Sequence, residues 1–470
     1  MINPLRFSSV FIIFSGIYLS LLYIFDSKVS VRAPLILIIL SLLMCSYRLC
    51  RGDITYLTGI MLVFFAAPVA PLMMYFIYDE VNWGWTPKLI AGIDYNLNWK
   101  VAVSVAVGCL GLLAGSFLAS ARRITCKISV RDYIPLSMLG FNFLIMLAIA
   151  LSYISAPTAT IFTGEYGGDQ LNTFALAINF PSAYLLSYSI FLGLLIDQGK
   201  DRTVRGLAKL KYLKLAIAYV AIFLQFMRGD REIIGLLMAL MVYYVVKPLW
   251  GCNSYSEARP MIKSRFMRSL FISLIAVVAF LAIGILRFTV SHGNYDLTNL
   301  FKANPWVMAL TSFAAYFNSD QSRNLLYGET YLNYFLSIPP GIITKALGIK
   351  RAIEADNNIA ASLVDTGMTS GGAHVALVAL QNFGIFGLFG VMIFYGYLAQ
   401  RIEEHAVRAR GISLFIWLNL IAAVPIWFWY GEMTAIRAVM AAIISYCTIQ
   451  LSPLKTRRVH SLRNIGASDL

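Results

Sequence analysis

The chain has 470 residues, 59% of them hydrophobic and only 13% charged, with a mean hydropathy of +0.72 and a formal net charge of +15. Its apolar residues fall in blocks of about 15 to 25 bounded by charges, and about 20 suffice to cross the hydrocarbon core as a helix. A soluble enzyme, a β-barrel and a disordered chain are excluded; the expectation is an all-α, polytopic membrane helix bundle forming a single domain over 1–470.

In chain order, twelve candidate spans are predicted: 8–25, 33–47, 54–78, 99–119, 134–155, 174–196, 213–227, 233–246, 269–286, 373–398, 411–430 and 438–451. An even number puts both termini on one side. If that side is the cytoplasm, the inner segments carry 25 of the 38 Lys and Arg and 8 of the 23 acidic residues, net +17 inside and −2 outside. The positive-inside rule then accounts for the basic balance, and nucleic acid is not an expected partner; the bilayer is. Cys45, Cys50, Cys109, Cys126, Cys252 and Cys447 all fall in spans or inner segments, so no outer disulfide is expected, and no Cys/His spacing suggests a zinc site. The first apolar run has no small-residue cleavage site before Asp26 and reads as a retained helix.

Three features depart from a plain bundle. The first is one long loop, about 287–372, on the outer side between the ninth and tenth spans. Its alternating aromatic and polar stretches, Trp306 to Phe317 and Thr330 to Leu336, with the turn Pro339-Pro340-Gly341, predict short amphipathic helices at the membrane surface. They would cap an outward-facing cavity, or merely cover the bundle. The second feature is a pair of short spans, the seventh and eighth, each about 20 Å long against a core of about 30 Å. They are joined by Arg228-Gly229-Asp230-Arg231-Glu232, which places four charges below the outer surface, where ionisable groups mark a functional site by default. The alternative has the flanking lysines snorkelling and the turn lying in solvent as an exposed ion-pair cluster.

The third feature is a set of outer charges at helix ends: Arg287, His374, Glu432 and Arg437. Singly, each could be an interfacial anchor. With Arg228, Arg231 and Arg323 of the large loop they form a set suited to a membrane-delivered diphosphate, because a guanidinium fork holds phosphate oxygens bidentately. Gly371-Gly372-Ala373-His374 leads to Asn382-Phe383-Gly384, and His374 near a helix start could protonate a leaving phosphate or simply hydrogen-bond the loop. Glu232, Asp230, Glu165 and Asp169 are the carboxylates available to activate a hydroxyl or contact a glycan, Glu232 being the preferred base and Asp230 the shaper of its turn. Trp306, Tyr316, Tyr331 and Tyr334 could stack on sugars or form an interfacial girdle. No P-loop, dinucleotide-binding turn, HExxH or GxSxG motif is present, so a substrate would have to arrive already activated in the membrane.

The Arg228–Glu232 turn between two spans, Ser370-Gly371-Gly372, and Asn382-Phe383-Gly384 resemble motifs of the bacterial O-antigen polymerases of the Wzy type, whose topology of ten to fourteen spans with a late periplasmic loop is similar over most of this chain. The resemblance implies a cofactor-free, metal-independent glycosyltransferase of the bacterial inner membrane. It would move a growing glycan from an undecaprenyl diphosphate carrier to a new lipid-linked repeat unit on the periplasmic side, with a chain-length regulator protein as a further partner. The related O-antigen ligases use periplasmic Arg and His, by similar placement Arg287 and His374 here. Their His-Asn pair is missing, since Val375 follows His374. A lipid-linked oligosaccharide flippase is the competing class, but would be expected to show internal two-fold repetition.

Overall fold

In the computed structural model the residues described are 4–25, 30–51, 53–69, 98–119, 183–196, 215–220, 222–223, 233–250, 257–269, 271, 312–313, 316–317, 324–336, 374–409 and 411–450. Among them there are helices and connecting turns and no strand. The main elements are α1 (Pro4–Ile24), α2 (Arg32–Arg51), α3 (Tyr56–Ala66), α4 (Asn98–Ala119), α5 (Ala183–Ile196), α6 (Ile233–Val246), α7 (257–269), α8 (Glu329–Leu336), α9 (Val375–Ala409), α10 (Gly411–Tyr430) and α11 (Glu432–Gln450). Three of them, α2, α4 and α9, contain stretches long and apolar enough to cross a membrane. The fifth predicted span, and the turns at 165–169 and 228–232, lie outside the described residues.

Helix α4 is the hub, enclosed by α1, α2, α3 and α9 and buried along almost its whole length. In an apolar surrounding, helices gain little by hiding leucines from lipid, so close approach depends on small residues that let backbones touch. The α4–α9 seam follows this rule. A side chain at Gly115 would strike the Ile393 carbonyl oxygen, and one at Gly396 would strike the Leu112 carbonyl oxygen. Gly235 of α6 meets the Ala422 carbonyl of α10 in the same way. Around this interior, α1 and α2 expose Phe11, Phe14, Tyr18, Leu21, Ile36, Leu40 and Leu43, an outer surface suited to lipid and not to water.

Two boundaries differ from the sequence expectation. The last span was predicted from 438, but α11 starts at Glu432, because Gly431 (φ 72°) closes α10 with its N–H on the Trp427 carbonyl at 2.8 Å and the chain turns directly into the next helix. The tenth span was predicted as one piece over 373–398. The helix instead runs to Ala409 and is broken at Gly384, whose φ of 68° and ψ of −168° no L-residue adopts without strain.

The short helix α8 is the one element of the predicted 287–372 loop helices that is described in full, and it is docked at this break. The Leu326 N–H donates to the Gln381 carbonyl at 3.0 Å and the Thr330 N–H to Asn382 Oδ1 at 3.2 Å, while Tyr331 stacks on Phe383 at 5.6 Å. The upstream half-helix thus has a terminal carbonyl satisfied by the loop, as a helix end away from water requires.

Three described stretches carrying inner-assigned charges gather at one end of the bundle: the end of α2 with Arg48 and Arg51, α7 with its four basic residues, and the end of α9. The segments assigned to the outer side, 324–336 and the α10–α11 turn, gather with the α9 break, where Tyr334 lies against Gly431.

Candidate functional site

Of the predicted site residues, His374 and Arg437 are described. Asp230, Glu232, Arg228, Arg231, Arg287, Arg323, Glu165 and Asp169 lie outside the described residues, as does Trp306.

His374 immediately precedes α9 and is fully buried. Its Nδ1 accepts the Ala376 N–H at 3.2 Å, the bond an N-cap side chain makes to the second helical residue, and its own N–H donates to Ser312 Oγ at 3.3 Å. With Nδ1 an acceptor, the neutral ring carries its proton on Nε2. The imidazole is walled by Phe65 at 4.8 Å, Phe313 at 5.1 Å and Phe428 at 6.4 Å between ring centroids. Its depth follows from Gly108: the Phe65 ring fills the space a Gly108 side chain would take, and Gly108 lies midway along α4, about 15 Å from either end at 1.5 Å per residue. His374 therefore sits near the mid-height of the bundle, in an aromatic box. These hydrogen bonds tie His374 to the first turn of α9 and to Ser312 of the large loop.

Arg437 is in the second turn of α11, about 9 Å along the helix from Gly431. Next to it in the chain, Ala438 and Ala441 pack with Leu185 and Ala423. Arg437 is half-buried, and its Nε is inaccessible and hydrogen-bonded to nothing.

Of the aromatics proposed for sugar stacking, Tyr316 is buried and packed edge-on to Phe317 at 5.3 Å, and Tyr331 is covered by Phe383 on one face and Tyr334 at 6.3 Å. Tyr327 of the preceding turn, in the left-handed region at φ 47°, is 82% exposed and is the free ring of this cluster. Among the described residues no three His, Cys, Asp or Glu side chains are grouped to hold a metal.

The basic end of the bundle holds a constellation that sequence reasoning treated only as topology charge. Arg48 is buried and donates from Nη1 to Ser116 Oγ at 2.8 Å and from Nε to Asp53 Oδ2 at 3.3 Å, with its guanidinium over Phe117 at 4.7 Å. Ser116 donates to Gln400 Oε1 at 3.0 Å, and Gln400 Nε2 donates to the Ile54 carbonyl at 2.9 Å. Glu403, fully buried, accepts the Tyr56 N–H at 2.8 Å and the Leu57 N–H at 3.4 and 3.3 Å, capping α3 from a neighbouring helix. The signal available in the sequence was the spacing of Gln400, Glu403 and Glu404, which puts all three on one face of α9.

Together these observations define an α-helical membrane protein with a discontinuous helix and a loop helix docked at the discontinuity. Comparison with known protein families, curated proteins and solved structures returns no match.

Proposed function

We propose that the chain is a polytopic inner-membrane glycosyltransferase of the O-antigen polymerase type, with about twelve spans, both termini cytoplasmic, and its active side at the end of the α9 break. The single observation that carries the reading is Arg437: its half-buried guanidinium has an inaccessible Nε with no hydrogen-bond partner, and the diphosphate of a lipid carrier is an anion suited to it. Support comes from the motif that prompted the resemblance, since Asn382-Phe383-Gly384 forms the helix break on which the loop helix rests.

In this reading an acceptor hydroxyl of one lipid-linked repeat unit attacks the anomeric carbon of the glycan on another carrier. A new glycosidic C–O bond forms as the C–O bond to the diphosphate breaks. Arg437, with Arg228, Arg231, Arg287 and Arg323, stabilises the departing undecaprenyl diphosphate, and Glu232 accepts the hydroxyl proton. Glu165 and Asp169 contact the glycan, Asp230 shapes the turn, and His374 holds the start of α9. No cofactor is required because the donor bond is already activated; a chain-length regulator would act on this enzyme from outside.

The test is Arg437→Lys and Arg437→Gln in a strain whose surface polysaccharide depends on this gene. Lys keeps a charge but loses the fork, so both variants should shorten or abolish polymer at normal membrane abundance. Full-length polymer from Arg437→Gln would remove Arg437 from the site.

A further inference from the structure

Helix α7 and Phe271 just beyond it carry a pattern that glycosyl transfer does not use. Arg259, Lys263, Met267 and Phe271 recur at every fourth residue, and all four are exposed. Residues four apart share a helix face, so they form one stripe of two cations followed by two apolar side chains. The opposite face is committed to the bundle: Ala258 and Ile262 are buried, Phe266 lies 6.4 Å from Tyr56, and Arg265 Nη1 donates to the Tyr244 carbonyl at 3.0 Å with its guanidinium over that ring at 4.9 Å.

These contacts also fix the height of the stripe. Tyr56 opens α3 and Tyr244 is in the last turn of α6, so residues 265–266 stand level with the ends of the apolar helices. The chain then runs into the apolar stretch 269–286, which places Met267 and Phe271 on the membrane side. Lys263 and Arg259 lie about 3 to 9 Å further along α7 toward its N-terminus, away from that apolar stretch. Arg268 adds a third cation beside the stripe, and no hydrogen bond or ion pair among the described residues engages Arg259, Lys263 or Arg268.

We infer that this stripe holds one anionic phospholipid of the leaflet at the basic end, its phosphate between Arg259 and Lys263 with Arg268 beside it, and an acyl chain along Met267 and Phe271. Charge complementarity selects an anionic headgroup, and the apolar half selects a lipid over a free phosphate or a nucleic acid, neither of which has a use for Met267 and Phe271. The inference is independent of the polymerase reading, because it needs only the basic end of the bundle.

The test is a lipid titration of the full-length protein in neutral detergent, read by native mass spectrometry with phosphatidylglycerol and phosphatidylcholine and with no glycan substrate present. Wild type should bind phosphatidylglycerol at least about tenfold more tightly than phosphatidylcholine. R259Q/K263Q/R268Q should lose that preference, each cation being worth about fivefold near an anionic surface, while R259K/K263R should keep it. Should the triple variant fail to fold, the single variants R259Q and K263Q carry the test, each with about a fivefold loss. The proposal is overturned if wild type shows no preference, if the neutralised variants retain it, or if millimolar inorganic phosphate displaces the lipid.

Discussion

Replacing Glu403 by Ala should destabilise the bundle without touching the α9 break. The carboxyl group is fully buried and accepts two backbone donors, the N–H groups of Tyr56 and Leu57. The N-cap residue of α3, Thr55, makes no side-chain bond to either of them, so Glu403 is the acceptor on which the first turn of α3 depends. Each donor left buried and unsatisfied costs about 1–3 kcal/mol, giving a loss of about 2–6 kcal/mol for the alanine variant. Glu403→Gln retains a carbonyl oxygen for Tyr56 but turns an amide N–H₂ toward the backbone, and should cost about half as much. Equilibrium unfolding in a mixed-micelle denaturant series, followed by tryptophan fluorescence, measures both. An alanine variant within about 0.5 kcal/mol of wild type, the range of an inconsequential surface change, would refute the reasoning.

Gly115→Val should be destabilised by about 1–3 kcal/mol or more, since its side chain meets the Ile393 backbone, whereas Gly390→Ala meets nothing within 4 Å and should be neutral or slightly stabilising; the same unfolding series compares them. Asn382→Ala removes the acceptor of the Thr330 N–H and should raise amide hydrogen exchange across 329–336 while leaving α4 unchanged. In a cysteine-free background, a cysteine at position 340 should react with an impermeant maleimide added outside the cell, and one at 257 only after permeabilisation; the reverse pattern would invert the proposed orientation.

The sequence made the helices legible because apolar length is a local property. Ile233–Val246 and Gly411–Tyr430 coincide with their predicted spans, and α4 begins within one residue of its own. The gathering of basic segments at one end was legible for a related reason, since charges that cannot enter the core must sit at helix ends. What was not legible depends on backbone conformation and distant partners. Gly384 is one of several glycines in its helix, and only its φ marks the break. Arg48 and Glu403 looked like loop charges, and their burial follows from Ser116 and the first turn of α3, which lie far away in the chain. His374 was placed at a helix start correctly, but its enclosure by Phe65, Phe313 and Phe428 comes from three separate segments.

The central claim is glycosyl transfer between lipid carriers, and reconstitution tests it most directly. Purified protein in vesicles, given undecaprenyl-diphosphate-linked repeat units and no metal or nucleotide, should produce a ladder of lipid-linked oligomers with stoichiometric release of undecaprenyl diphosphate. Correctly inserted protein that leaves the repeat units as monomers, or only moves them across the bilayer unchanged, would contradict it.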